Sequence, residues 1–200
     1  ETAALAGAIL LILGTASAMA WALTQTGFAG KLAQGVSELP GGWISFMGVS
    51  ILIFMVLGCV LEGLPAIVLM APIMFPMARN LGIQLSRGRY VLPLDPDDVI
   101  LPRFVERCVE VLEERPELAY VTAWSEYVDE RGLPLGAGGY RPLGNRVAWL
   151  ERENLAGSAM ALFRRRLFER GLRYSPDLTS YEDWLMYREL RAGGHHGHVI

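Results

Sequence analysis

Two groups of carboxylates have residue types and spacings that could do chemistry. The first is Asp95 and Asp97, which flank Pro96 in "YVLPLDPDD", with Asp98 directly after. Carboxylates at that spacing, directly or through water, can bind a divalent cation that neutralises a diphosphate, because hard cations take hard oxygen ligands. The same run also suits an ordinary turn, in which aspartates bond local backbone donors, Pro96 sets the turn dihedral and Asp98 caps the next turn or helix. The second group lies in "YSPDLTSYEDWLMYREL", where Ser180 stands three residues before Asp183. That is the spacing of a helix capping box with Asp in place of Glu or Gln, and capping accounts for Asp183 without chemistry. It accounts less well for Glu182. A carboxylate at a helix start is also well placed to take a proton from a substrate hydroxyl, so both roles stand.

The elements that must position these groups are set by local patterning. Tyr90 to Leu94 reads as a short buried strand delivering the aspartates at its carboxyl end, where α/β proteins place chemistry. In "PRFVERCVEVLEERP", Phe104, Val105, Cys108, Val111 and Leu112 form a 3.6-period stripe, with Pro102 at the start and Pro116 at the stop. "LAYVTAW" and "SAMALF" read as strands, "DERG" as a turn, "LPLGAGGY" as a glycine-rich loop, and part of "NRVAWLERE" as a helix. Arg164, Arg165 and Arg166 suit either a solvated helix surface or a phosphate. His195, His196 and His198 in "GGHHGH" read as a loop, since they have no fixed carboxylate or cysteine partner for zinc.

Upstream, the character of the chain changes. Only Glu1, Lys31, Glu38, Glu62 and Arg79, out of 18 Lys and Arg and 21 Asp and Glu, precede Ile83, so the formal net charge of −3 describes neither half. Charges in the second half are interspersed and nearly balanced, which gives no basic footprint and excludes a nucleic-acid partner. Cys59 and Cys108 make neither a disulfide framework nor a metal cluster and read as buried thiols. Residues 2 to 23 contain no charge, and at ~1.5 Å per residue they can cross a ~30 Å hydrocarbon layer. The run is too long for a signal peptide and lacks its basic flank. Trp43 to Val60 reads as a second span after a Pro-Gly-Gly break. Leu64 to Ala78 carries Pro65, Pro72 and Pro76 and reads as a broken helix, with Glu62 a buried functional carboxylate or an interfacial one.

Residues 1–82, through "ETAALAGAILLILGTASAMAWALTQTG" and "VLGCVLEGLPAIVLMAPIMFPMARNLGI", resemble the large DctM-type permease subunit of tripartite ATP-independent periplasmic (TRAP) transporters. That resemblance implies sodium-coupled import of organic acids at a bacterial inner membrane, with a small membrane subunit and a periplasmic binding protein as partners. Residues 78–200, through "ARNLGIQLSRGRYVLPLDPDD" and "ENLAGSAMALFRRRLFERGLRYSPDLTSYEDWLMYREL", resemble family 2 glycosyltransferases. This second resemblance implies the GT-A fold, a Rossmann-related α/β architecture, with a nucleotide-sugar donor, a Mn or Mg ion and a sugar acceptor. By it, Asp95 and Asp97 fall on the metal- and diphosphate-binding motif, Asp183 on the general base, and Arg79 on an arginine near the nucleotide.

The expected architecture is therefore mixed: a transmembrane α-helical segment over 1–82, embedded in membrane lipid, and a partial GT-A-like α/β domain over 83–200. Where the transferase family places a base-binding strand, helix and strand, this sequence has permease-like helices, so impaired transfer is expected, with a non-catalytic membrane-tethered α/β domain as a further alternative. A crossover within residues 78 to 83 makes the chain a chimera of two partial pieces, and "GHVI" reads like the start of an unfinished strand. Arg79, Arg87 and Arg89 favour a cytoplasmic second half by the positive-inside tendency.

Overall fold

The computed structural model describes residues 2–200 other than 38, 39, 61, 62, 159, 176, 179 and 180. Glu62 and Ser180, singled out above, lie outside the described residues. Two compact units form, one of Glu1–Gly82 with Tyr174–Glu182, the other of Ile83–Arg173 with Asp183–Ile200.

The first unit is built on four helices: α1 Thr2–Gln25, α2 Phe28–Ser37, α3 Trp43–Val60 and α4 Gly63–Leu85. The Pro-Gly-Gly break before α3 is a true turn. Gly41 and Gly42 both hold positive φ, at 107° and 56°, which side chains other than glycine rarely adopt. A small core joins Ala20 of α1 and Phe46 of α3 to Leu69, Met70, Met74 and Met77 of α4.

Most of the apolar surface lies outside that core. Within α1, the stretch Ala6–Leu23 is apolar enough to cross a membrane and only 6% of it is buried. Leu10, Leu11 and Trp21 are exposed. The expected second span forms one apolar helix, α3, whose stretch Trp43–Cys59 is at the short end of the ~17–25 residues a crossing takes. Cys59 is exposed on it, not buried as expected, because the α3 residues packed into the core lie on another face. The third stretch is broken as expected: within α4, Pro65–Ala71 and Met74–Leu85 meet at 54°. Pro65 sits in the first turn, where no donor is lost, and each later proline removes a single i to i−4 bond.

The second unit holds a four-stranded sheet in the order β1-β5-β2-β6, with β1 Tyr90–Val91, β2 Leu118–Thr122, β5 Ala161–Arg164 and β6 His196–Val199. Strand β5 runs antiparallel to both β1 and β2, and β6 runs parallel to β2. Hence β1, β2 and β6 share a direction, and their carboxyl ends lie at one edge. "GGHHGH", expected as a loop, supplies β6, whose Gly197 leaves room for the ring of Tyr120 beneath it. "LPLGAGGY" is likewise a strand, β4 Pro134–Tyr140, paired with β3 Ser125–Val128. The "DERG" turn closes that hairpin: the Asp129 carboxylate accepts the N–H groups of Arg131 and Leu133 at 2.8 and 2.9 Å.

Helix α5, Phe104–Glu114, buries the predicted stripe, and Cys108 and Leu112 pack on Leu118, Val121 and Leu162. Burial pushes the Cys108 thiol up to about 12, so it is an inert core group. Val105, at the margin of the stripe, stays exposed. On the sheet's other face, Tyr120 contacts Phe163 and Tyr187 with ring centroids 5.4 and 4.9 Å apart. A short helix, α6, Arg165–Glu169, follows β5, and Tyr187 belongs to α7, Glu182–Ala192, the aromatic-rich helix expected after Tyr181. The segment "NRVAWLERE" contributes only a 3-10 turn, Ala148–Glu151.

Candidate functional site

Strand β1 is two residues long, shorter than the Tyr90 to Leu94 expected, and the chain runs on past its carboxyl end into the acidic stretch. There the Asp98 N–H donates to the Asp95 carbonyl at 3.1 Å, closing a turn with Pro96 in its second position. The turn reading is thus realised in the backbone, while the Asp97 side chain stays exposed. Carboxylate crowding is the electrostatic result. Partial burial first, then the charges of Asp95 and Asp97, raise the Asp98 carboxyl above its ordinary value. These hard, mutually repelling oxygens suit a divalent cation, which needs only one or two carboxylates when phosphate oxygens and water complete its shell. Among the described residues, no group of three His, Cys, Asp or Glu side chains forms an all-protein cation cage.

The raised Asp98 pKa has a thermodynamic sign. The folded state holds that proton more tightly than the unfolded chain, so stability falls as pH rises from the unfolded pKa through the folded one. Asp98→Asn is expected to be more stable than the parent near neutral pH. The difference should close as pH falls through the ordinary carboxylate range and should shrink when Mg2+ or Mn2+ is added; urea titrations across that range would test it.

Asp183 lies in the first turn of α7. Its Oδ2 accepts the Asn154 Nδ2–H at 3.1 Å and its Oδ1 accepts the Trp184 N–H at 2.7 Å. Asn154 is itself fixed, since its carbonyl accepts the Tyr140 hydroxyl at 2.8 Å. Burial, and then the nearby Asp183 charge, push the Tyr140 phenol up to about 12, so it remains a donor at neutral pH. Two further bonds hold α7 against the same loop: Trp184 Nε1–H to the Leu150 carbonyl and the Tyr187 hydroxyl to the Ser158 carbonyl, each 2.6 Å. Asp183 is therefore an oriented, half-buried carboxylate at a helix start.

The loop has little spare room. A Cβ on Gly157 would come within 2.6 Å of the Tyr187 hydroxyl oxygen and 2.8 Å of its ring. Gly157→Ala is expected to cost about 1–3 kcal/mol by overpacking, read as a lower denaturation midpoint at unchanged slope.

Arg79, expected near the nucleotide, is held by an ion pair and a ring contact. In the first unit its Nη1 forms a 2.9 Å ion pair with Glu182, and its guanidinium lies 4.9 Å from the Tyr174 ring centroid. The pair is about four-fifths buried at both ends. Next to it, the Asn80 amide donates to the Tyr174 carbonyl at 2.8 Å and accepts the Tyr174 N–H at 2.9 Å. Glu182, which capping left unexplained, is the partner of Arg79.

Sheet topology relates the two carboxylate groups. Because Val91 pairs with Phe163 and Thr122 with Ala161, the chain leaving β1 and the loop entering β5 depart from the same edge of the sheet. The first carries Asp95 and Asp97, and the second carries Asn154. Neither Asn154 nor Tyr140 drew notice in the sequence. Nothing in their local spacing marks them, for their roles depend on contacts 29 and 14 residues away.

A mixed sheet in which β1, β2 and β6 share a direction, with acidic groups beyond their carboxyl ends, is an α/β arrangement of the kind that binds ligands at that edge. Comparison with known proteins narrows this. Residues 75–172 match the family model of glycosyl transferase family 2, and residues 1–89 match that of the DctM component of tripartite ATP-independent periplasmic transporters. The two matches together support a chimera of the two segments, and residues 75–89, including Arg79, lie in both. An uncharacterized glycosyltransferase of Methanocaldococcus jannaschii is 31% identical over 55 residues, which are 28% of this chain and 19% of the relative. The match thus spans about a fifth of that protein. Asp95 and Asp97 fall inside the transferase match, and Asp183 lies beyond its end.

Proposed function

We propose that residues 83–200 are a glycosyl-transfer domain of low turnover, passing a sugar from a nucleotide-sugar donor to an acceptor hydroxyl. The observation that carries this reading is the acidic turn beyond β1, at the sheet edge that also releases the Asn154 loop, within a family 2 transferase match. Asp95 and Asp97 would hold a Mg or Mn ion, which when bound supplies positive charge to the departing nucleoside diphosphate. Asp183, oriented by Asn154, would accept the acceptor proton as the hydroxyl oxygen attacks the anomeric carbon, giving inversion. Arg79 would act at a distance from the sugar, by fixing Glu182 beside that base. Turnover is low in this reading because permease-like sequence stands where the family places its base-binding strands.

Residues 1–82 would anchor this domain in a bacterial inner membrane, with the second half cytoplasmic, supported by the sparsely buried α1 and the DctM match. The test is nucleoside diphosphate release by the purified full chain in detergent, with a panel of nucleotide sugars and acceptor extracts. Slow release that needs Mg2+ or Mn2+ is expected. Absence of both metal-dependent release and metal-dependent nucleotide binding would overturn the reading.

A second reading, favoured by the match over 1–89, is participation in sodium-coupled uptake of an organic acid with a small membrane subunit and a periplasmic binding protein. Sodium-dependent uptake into proteoliposomes holding the chain with those partners would establish it.

A further inference from the structure

The transfer chemistry leaves the opposite end of the sheet unused, and a basic cavity lies there. It is an open groove of about 430 Å³ lined by Arg87, Arg89, Arg164, Arg165, Arg166 and Glu169, among others. Five arginines thus face Glu169 in the lining and Glu113 at its edge, where Glu113 pairs with Arg89 at 3.0 Å. Arg165 is held at 3.0 Å by Glu169 and also donates to the Ser86 carbonyl. Arg164 donates to the carbonyls of Leu112, Arg115 and Leu118, and Arg166 to that of Pro116. The carbonyl contacts fix the Arg164 and Arg166 side chains, and the five arginines outnumber the two carboxylates, Glu113 and Glu169, that pair with them. Arg87, exposed, adds a further cation.

The backbone builds the cavity rather than leaving it to chance. Tyr90 pairs with Arg164 across β1 and β5, and the Arg165 N–H donates to the Arg89 carbonyl at 3.0 Å, so the two arginine runs stand side by side. Gly88 permits the approach: a Cβ there would lie 2.9 Å from the Tyr90 carbonyl oxygen. Arg89 and Arg164 both lie against the Tyr90 ring, 5.7 and 5.8 Å from its centroid. Guanidinium groups preset in this way match the oxygen geometry of phosphate by paired N–H donation.

We propose that this cavity is a binding site for a phosphate-ester or diphosphate anion, separate from the site at Asp95 and Asp97. The two lie at opposite ends of the segment running from Arg89 to Asp95, one before and one beyond strand β1. The anion has two sources, a soluble phosphate or the headgroup of an anionic lipid. Arg87 comes two residues after the apolar helix α4, so in a membrane-anchored chain it would lie within reach of headgroups.

The probe is inorganic pyrophosphate, titrated calorimetrically without divalent metal into the full chain in a neutral detergent. Saturable binding that weakens with added salt is expected. It should fall at least about tenfold in Arg87→Gln/Arg166→Gln and be unchanged in Asp95→Asn/Asp97→Asn, with circular dichroism confirming the fold of both. A second arm floats the chain with neutral phosphatidylcholine vesicles with or without phosphatidylglycerol. Arginine-dependent retention on anionic vesicles, displaced by pyrophosphate, assigns the site to a headgroup. Pyrophosphate binding with equal retention on both vesicle types assigns it to a soluble phosphate. No saturable binding, or binding equal in parent and arginine variant, would overturn the proposal. Because this titration contains neither metal nor nucleotide sugar, its result does not depend on whether the domain transfers sugar.

Discussion

Asp183→Asn is expected to bring sugar transfer by this chain down to background, a loss on the order of 10²–10⁴-fold for removal of a general base, with donor binding kept. The substitution preserves shape and leaves an oxygen to accept the Trp184 N–H, so the start of α7 should survive. It removes the negative charge that helps raise the Tyr140 phenol, which should titrate at lower pH in the variant. Three readouts then separate the roles of Asp183. Lost transfer with an intact melt and a lowered Tyr140 pKa marks a base. Intact transfer with a lowered melt marks a helix cap. Because Asp183 lies beyond the residues that match the transferase family, this one substitution carries unusual weight for the proposed mechanism.

The sequence was most readable where a single physical constraint acted alone. Helix α5 was evident from its stripe and its flanking prolines, because one face of an isolated surface helix must be apolar. Strand β2 was evident from its apolar run, which becomes five consecutive buried residues in a central position. Glycine was misleading in "LPLGAGGY". Gly136, Gly138 and Gly139 all hold positive φ, which argues for a loop, yet Ser125 and Glu126 still pair with Tyr140 and Gly139. A Cβ on Gly139 would strike the Ser125 carbonyl, so the glycines make close pairing possible. Similarly, "HHGHV" has Val199 as its single branched residue, and β6 exists because its backbone completes the ladder of β2.

The candidate site was legible only as chemistry and not as geometry. Carboxylates at Asp95, Asp97 and Asp183 stand out by type and spacing, whereas the groups that orient Asp183 come from distant loops with ordinary local sequence. The arginine run shows the same limit. Spacing alone favoured a solvated surface for Arg164, but long-range pairing with β1 draws its guanidinium over three carbonyls and against Tyr90. Arg79 is a third case. Its partner, Glu182, is 103 residues away, and no local pattern announces the pair.

Asp95→Asn/Asp97→Asn should produce the other large effect, a loss of at least about 100-fold in Mn2+ affinity and in metal-dependent nucleotide binding, since even outer-shell changes around a metal cost 10–100-fold. The backbone gives this variant a useful property. The turn is closed by the Asp98 N–H and the Asp95 carbonyl oxygen and preset by Pro96, none of which the substitution touches. Removing two carboxylate charges also relieves the repulsion that raises Asp98. The metal-free variant should therefore be at least as stable as the parent at neutral pH while losing the ion, a pairing that a merely structural turn would not give. If these aspartates served no ion, Mn2+ binding, tracked by the paramagnetic resonance of the free ion, would not change. Pyrophosphate binding without metal should persist in the variant, because the arginines that would hold it lie at the other end of the sheet.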